Sequence, residues 1–356
     1  MKRLMIMAAG TGGHIFPGIA IAQTMKARGW EVSWLGTSTG MEQDLVPKAG
    51  IAMDAIDFTG MRGKGLSLTL SGAFKLTASF GKCLGIIARR KPDVVLGMGG
   101  YVCVPGGLMA RMRGIPLALV NADAALLLSN KTLTPLAQRV LFGFPADFGR
   151  AAGKASVTGN PVRQAILDVD APATRFDKRD GPLRILVVGG SLGAKVLNDA
   201  VPAALATIDA AIRPLVTHQS GKKNIDALRK AYADNGVEAN VVDFIDDMAS
   251  AYSAADLVIC RAGAITVSEL TAAGVASILI PFVAATTSHQ RDNAKWMAEQ
   301  GAAIHLPQGE LDAARLGATL NGMTRGDCAT KALAAHGVGR RDANEAIAQI
   351  LEKMTT

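Results

Sequence analysis

Four short glycine-containing segments carry the first chemical signal. They are Gly10-Thr11-Gly12-Gly13, Gly97-Met98-Gly99-Gly100, Gly189-Gly190-Ser191-Leu192-Gly193 and Arg261-Ala262-Gly263-Ala264. Each follows a short apolar run, and the first, third and fourth open a helix-like stretch. A glycine loop between strand and helix lets backbone N–H groups approach an anion, and the helix N-terminus adds partial positive charge. One such loop reads as a tight turn. Four together point to phosphate binding.

The phosphate does not belong to a dinucleotide of the usual kind. The spacing G-x-G-x-x-G is absent: Ile15 holds the third position after Gly10, and Gly193 is the next glycine after Gly190. No acid ends the second strand of either half, where Gly36-Thr37 and His218-Gln219 stand instead. Such an acid would hold a ribose, so NAD is disfavoured. Glu269, one to two turns into a helix after Gly263, can accept two hydrogen bonds from a ribose diol. His14 follows the first loop near a helix N-terminus, which disfavours an imidazolium. A neutral imidazole there can take a proton from an attacking hydroxyl. The one Asp-x-Asp match, Asp168-Val169-Asp170, ends no strand and reads as solvated charge, so neither metal nor cofactor is expected.

These residues need strands to present them. Apolar runs at Leu4–Ala9, Glu31–Leu35, Asp93–Leu96 and Pro116–Val120 alternate with helix-like segments. The pattern restarts at Leu183–Val188, about 180 residues after the first opening, and continues through Arg213–Thr217, Ala239–Val242, Leu257–Cys260 and Ser277–Ile280. Alternation of this kind builds parallel sheets covered on both faces. The expected fold class is α/β, with two Rossmann-like doubly wound domains. The expected boundaries are 1–163, 164–340 and a closing helix at 341–356 that can pack on either domain, including back on the first. The stretch Leu167–Pro182, with Pro172, Gly181 and mixed charge, reads as a linker.

Composition bounds the rest. A chain of 356 residues, 49% apolar, has enough core for two domains. Only 4% of residues are aromatic, which argues against single-stranded nucleic acid as a partner. The net charge of +8 suits anionic small molecules or an acidic membrane surface. Four dispersed cysteines form no CxxC pair, so a reducing compartment fits. No apolar run reaches the roughly 18 residues of a membrane span. The stretch Leu66–Arg90 mixes Leu68, Leu70, Phe74, Leu76, Phe80, Leu84, Ile86 and Ile87 with Lys64, Lys75, Lys82, Arg89, Arg90 and Lys91. It reads either as a helix packed on its own sheet or as a basic, apolar contact with an anionic interface.

Taken in order, the motifs resemble those of the bacterial peptidoglycan glycosyltransferases. They are Gly10–His14 with Phe16-Pro17, Lys91–Val95 leading to Gly99-Gly100-Tyr101, and Gly159-Asn160-Pro161-Val162-Arg163. Then come Gly189–Ala194, Phe244–Met248, Arg261–Glu269, and Pro281-Phe282 through His289-Gln290 to Asn293-Ala294. The resemblance spans nearly the whole chain. It implies a GT-B architecture, two Rossmann-like domains facing across a cleft. It also implies inverting transfer of N-acetylglucosamine from UDP-N-acetylglucosamine to a lipid-linked muramoyl-pentapeptide, at the cytoplasmic face of the bacterial inner membrane.

By matching position, Ile245 would meet the uracil with Phe244 beside it, and Glu269 would hold the ribose. Ser191 and the backbone of Ala264, Ile265, Thr266, Val267 and Ser268 would serve the phosphates. Arg163, His289, Gln290 and Asn293 would complete the donor site. Thr11, Gly12 and Gly13 would lie across the cleft, with His14 as general base and Gly99, Gly100 and Tyr101 on the acceptor side. Where many members have His-Glu-Gln-Asn, this chain has Val120-Asn121-Ala122-Asp123. Asn121 cannot act as a base; Asp123 can contact the acceptor or polarise His14. Implied partners are the two substrates, an anionic membrane surface and cell-wall synthesis proteins. Two other classes stay open on the residues alone: a nucleotide-sugar epimerase and a diverged, non-catalytic donor-binding protein.

Overall fold

The computed structural model describes residues 1–57, 69–123, 126, 128–146, 148–177, 179–190, 192–282 and 289–356, with the backbone only for 69–77. Two compact units account for the chain: Met1–Arg163 together with Arg341–Thr356, and Gln164–Arg340.

In the first unit, β1 (Arg3–Ala8), α1 (Gly12–Ala27), β2 (Glu31–Thr37), α2 (Glu42–Lys48), β3 (Ala52–Ile56) and α3 (Thr69–Arg90) form one half. β4 (Val94–Gly99), α4 (Cys103–Met112), β5 (Leu117–Asn121), α5 (Leu128–Leu133), β6 (Arg139–Phe142) and β7 (Ala155–Val157) form the other. The seven strands pair in the order β3-β2-β1-β4-β5-β6-β7, with every pairing parallel. In β1, Leu4, Ile6 and Ala8 face one core cluster and Met5 and Met7 the other, which Ala9 just past the strand also joins. A central parallel strand is apolar on both faces for this reason.

The second unit holds α6 (Gln164–Leu167), α7 (Pro172–Asp177), β8 (Arg184–Val188), α8 (Lys195–Ala206), β9 (Leu215–Gln219), α9 (Ile225–Asp234) and β10 (Asn240–Val242). It continues with α10 (Met248–Ala254), β11 (Leu257–Cys260), α11 (Ala264–Ala273), β12 (Ala276–Leu279), α12 (His289–Glu299), β13 (Ala303–His305), α13 (Ala313–Asn321) and α14 (Arg325–Val338). Its six parallel strands run β10-β9-β8-β11-β12-β13. The final helix, α15 (Ala343–Lys353), belongs to the first unit. Its Ile347, Ala348 and Leu351 share a core cluster with Ile15, Ile21, Ala22 and Met25 of α1. Arg28 pairs with both Glu345 and Glu352.

Each sheet reverses strand direction of growth once, between β1 and β4 and between β8 and β11. Ligands of open α/β sheets sit outside the carboxyl ends of strands at such a point. All four glycine loops stand at these two places.

One expectation needs correction, and one open alternative resolves in part. Leu167–Pro182 is no free linker. It begins at the last residue of α6 and contains α7, and Arg175 is buried, donating to the carbonyls of Tyr252, Ala273 and Gly274. Arg179 donates to Ser253 O and Ala255 O and pairs with buried Asp256. Proline and mixed charge looked like solvation, but the guanidinium groups close helix and strand ends. Burial lowers the Arg175 pKa to about 10.

The alternative that resolves in part concerns the described end of α3. Ile86 and Ile87 are buried on the sheet, and Phe80 and Leu84 pack against the same core. Lys82 pairs with Asp57, and Arg89 and Arg90 both pair with Asp54. The spacing of these apolar residues therefore serves the core rather than an outer face. The remaining residues of that reading, Lys64, Leu66 and Leu68 and the side chains of Leu70, Phe74, Lys75 and Leu76, lie outside those described.

Arg175→Ala leaves three carbonyl groups without their donor. It should destabilise the protein by about 3 kcal/mol, since each orphaned buried group costs roughly 1–3 kcal/mol. Urea unfolding followed by circular dichroism measures this; an unchanged midpoint would contradict it.

Candidate functional site

The first unit presents its groups around the start of α1. The first turn has no side-chain cap and no acidic residue. His14 is half-buried there, and its Nδ1 lies 3.2 Å from Ala9 O. A carbonyl only accepts, so Nδ1 carries the proton and Nε2 keeps its lone pair. Desolvation lowers the His14 pKa from its ordinary value; the bond to Ala9 O, Asp123 and Glu42 oppose that shift without cancelling it. The neutral form expected from the helix dipole is thus favoured chiefly by burial.

The β4 loop lies directly under the ring. A Cβ at Gly99 would come within 2.6 Å of His14 Cδ2, and Gly99 has φ +121°. Glycine is required there on both counts. Tyr101 beside it is half exposed, and Ala9 N–H donates to Gly99 O at 3.3 Å. Arg163 reaches the same region: its guanidinium sits 4.8 Å from the centre of the Phe16 ring.

Asn121 does not present its amide outward. It is fully buried, donating to Asp123 O at 2.7 Å and accepting from Asn130 Nδ2 at 3.1 Å. Asn160 Nδ2 donates to Ala122 O at 2.9 Å. Asn121 therefore shapes the loop, and its neighbour Asp123 is half-buried.

In the second unit, β11 leads through Arg261-Ala262-Gly263 into α11, whose N-terminus has no side-chain cap and no acid in its first turn. The N–H groups of the first turn have no partner within a helix and are oriented for an anion. Val267 N already bonds Gly263 O, so the anion-facing part is Ala264, Ile265 and Thr266. Ser268 is buried and its hydroxyl donates to Ala264 O. Val267 N–H and the Ser268 hydroxyl thus have partners within the helix.

Glu269 is 6% exposed and accepts from Tyr252 Oη at 3.3 Å. It is a buried carboxylate, not a solvated helix charge. Tyr252 comes from α10, the helix that follows Phe244 and Ile245, and both of those residues are half-buried in the β10–α10 loop. α10 therefore ties the Ile245 loop to the Glu269 helix. Asn293 of α12 is fully buried and donates to Ala262 O at 3.1 Å. Gln290 Oε1 accepts from Phe282 N–H at 2.8 Å, and His289 is half-buried beside it. Arg261 donates to Ile280 O and Gln308 Oε1 and lies over Phe282, while desolvation lowers its pKa. Ser191 lies outside the described residues.

The two domain models of glycosyltransferase family 28 match this chain. The N-terminal one covers residues 4–142 and the C-terminal one 184–349. The chain belongs to glycosyltransferase family 28. A protein of Janthinobacterium sp. (strain Marseille) is 70% identical over 354 residues, 99% of each chain. Its name is UDP-N-acetylglucosamine--N-acetylmuramyl-(pentapeptide) pyrophosphoryl-undecaprenol N-acetylglucosamine transferase. A protein of the same name from Herminiimonas arsenicoxydans is also 70% identical, again over 99% of each chain. The crystal structure of Acinetobacter baumannii MurG matches with TM-score 0.83 and 36% identity, covering 99% of this chain and 100% of that one.

Within this family frame, two groups of functional residues escaped the sequence reading. The first is the polar side chains that hold the loops. Glu42, fully buried, accepts from Gly10 N–H; Gln219 Nε2 donates to Gly190 O at 3.0 Å; Asn130 and Asn160 hold the turn at 120–123. The second is the β9 loop, where Ser220 and Gly221 pack against Leu192 and Gly193. Gly193 was visible in the sequence, but its partner Gly221 across the sheet was not. His218, fully buried and bonded to Tyr232 Oη at 2.8 Å, is structural; burial takes its pKa down to about 3.

Gly193 has φ +76°, and a Cβ there would overlap Ser220 O. Gly193→Ala should therefore displace the β8 loop and weaken UDP binding by about tenfold or more. Isothermal titration with UDP reads this out, and an unchanged Kd would show that the loop does not touch the nucleotide.

Proposed function

We infer that the protein transfers N-acetylglucosamine from UDP-N-acetylglucosamine to undecaprenyl-pyrophosphoryl-N-acetylmuramoyl-pentapeptide, giving the disaccharide-bearing lipid of peptidoglycan synthesis. The end-to-end likeness to transferases of that name carries this reading. The two sets of groups described above supply the chemistry it needs.

The acceptor hydroxyl gives its proton to Nε2 of His14 as its oxygen attacks the anomeric carbon. The bond to the UDP oxygen breaks, and inversion follows from attack on the opposite face. Charge grows on the leaving diphosphate, where the N–H groups of Ala264, Ile265 and Thr266 and the dipole of α11 stabilise it. Ser191 contributes a hydroxyl to the same phosphates. Glu269 takes the ribose diol, Ile245 and Phe244 take the uracil, and Arg163, His289, Gln290 and Asn293 orient the donor. Thr11, Gly12 and Gly13 leave the backbone open beside His14, and Asp123 with Gly99, Gly100 and Tyr101 meets the acceptor.

No helix among the described residues is long and apolar enough to cross a membrane. A lipid acceptor requires contact with the bilayer surface, and the charge of +8 favours an anionic one. We place the protein at the cytoplasmic face of the inner membrane as a peripheral enzyme. Cell-wall synthesis proteins are its expected neighbours there.

Two variants separate the roles. His14→Ala should lower kcat by about 10²–10⁴-fold, the usual worth of a general base, with donor binding retained. Glu269→Ala should instead weaken UDP binding. The assay follows radiolabel from UDP-N-acetylglucosamine into the lipid fraction. Since the base must be neutral, the rate falls as pH drops through the His14 pKa; desolvation puts that acid limb below the ordinary histidine value. Full activity of His14→Ala would remove the base assignment, and absence of label in lipid with the wild-type protein would remove the activity.

Vesicle flotation tests the membrane reading. Binding should rise when anionic lipid is added to neutral vesicles and fall with salt. Equal binding to both vesicle types would discard the electrostatic part.

A further inference from the structure

Glu42 is fully buried at the start of α2, and all its carboxylate partners are donors. Oε1 accepts from Thr37 N–H at 2.9 Å and from Thr37 Oγ–H at 2.6 Å. Oε2 accepts from Gly10 N–H at 3.2 Å. The sequence makes room for it: a Cβ at Gly40 would overlap the carboxylate, and one at Gly36 would press on Cγ. A buried carboxylate held this way is costly unless its hydrogen bonds are all made.

Gly10 N–H and Ala9 C=O belong to one planar peptide group. Its N–H side meets Glu42, and its C=O side accepts Nδ1–H of His14 at 3.2 Å. We propose that Glu42 is a positioning residue for His14, acting through the Ala9–Gly10 peptide group that the two side chains hold from opposite sides. This rests on the reading of His14 as the base.

The arrangement does two things. It fixes the peptide plane, and through it the ring orientation that aims Nε2 away from Ala9. It also polarises the peptide: an N–H given to a carboxylate makes the carbonyl oxygen a stronger acceptor. A stronger bond at Nδ1–H makes Nε2 a better base. No proton passes through the peptide. The acceptor's proton goes to Nε2, Nδ1 keeps its own, and Glu42 stays a carboxylate throughout. Two charged groups act on the ring: Glu42 from α2 and Asp123 from the loop after β5. Both favour the imidazolium against desolvation, so losing either makes His14 a weaker base.

The test uses the full chain labelled with ¹⁵N-histidine. His14 is assigned by its loss in His14→Ala. In the wild type, neutral His14 should be the Nδ1–H tautomer. In Glu42→Gln it should titrate at lower pH and lose part of that tautomer preference. Transfer by Glu42→Gln should fall about tenfold in kcat, less than the His14→Ala loss, while KM for the donor stays within about twofold. In a His14→Ala background the same substitution should cost nothing further, because the two act as one unit. A purely structural role would lower both backgrounds alike.

The proposal is overturned by an Nε2–H tautomer in the wild type. It is overturned equally by a Glu42→Gln protein whose His14 titration and kcat are unchanged, or by a loss that persists without His14. If Glu42→Gln does not fold, the wild-type tautomer decides. Full transfer by His14→Ala would overturn the base reading and the kinetic half of this proposal. The tautomer and titration would still decide whether Glu42 holds the ring.

Discussion

A loop that must let a ligand touch its backbone cannot carry the side chains that would hold it still. Three of the four glycine loops, and the glycine-free turn after β5, answer that constraint in the same way: a buried polar group on a neighbouring element bonds the loop's own peptide. Glu42 holds Gly10, Gln219 holds Gly190, Asn293 holds Ala262 and Asn160 holds Ala122. Each contact reaches across the sheet or between successive strand–helix connections. The loops stay open toward solvent because their anchoring comes from behind. Each anchor is buried, where a hydrogen bond is strong and its loss expensive.

This arrangement explains what the amino-acid sequence made legible. Strand–glycine–helix openings are local, and their period restarts, so two Rossmann-like units followed from pattern alone. The bare N-terminus of α11 was equally local, since it needs only a glycine and the absence of a capping side chain. The anchors are not local. Glu42 lies 32 residues from Gly10, and Gln219 29 from Gly190. In one dimension a glutamate before a short helix looks like an ordinary N-terminal acid, and Arg175 looks like linker charge. Only the folded sheet shows that each is enclosed. Spacing alone left α3 open for the related reason that a helix's apolar stripe has the same period whether it meets a membrane or a sheet.

The two units put the same construction to different uses. In the second, the uncapped N-terminus of α11 presents its dipole and first-turn N–H groups, and Glu269 is buried about one and a half turns further along the helix. In the first, the equivalent loop carries a histidine in place of a bare helix start. Enclosing that imidazole lowers its pKa by desolvation, and the bond to Ala9 O and two carboxylates pull the other way.

The chain's return to its first unit bears on the same histidine. His14 sits at the start of α1, so any rocking of that helix moves Nε2. One side of α1 packs on β1 and β2, with Ile15 and Ile21 in the core. The other would be open if the chain ended with the second sheet. Instead α15 covers it, burying Ile347, Ala348 and Leu351 in that same cluster, while Asn344 donates to Val162 O beside Arg163. Arg28 at the far end of α1 is held by two glutamates of α15, and their bonds raise its pKa. Exposed ion pairs contribute little on their own, so the apolar contact carries the energy and the charges set the register. A helix fixed along both flanks and at its first peptide leaves the imidazole only the freedom of its own rotamer.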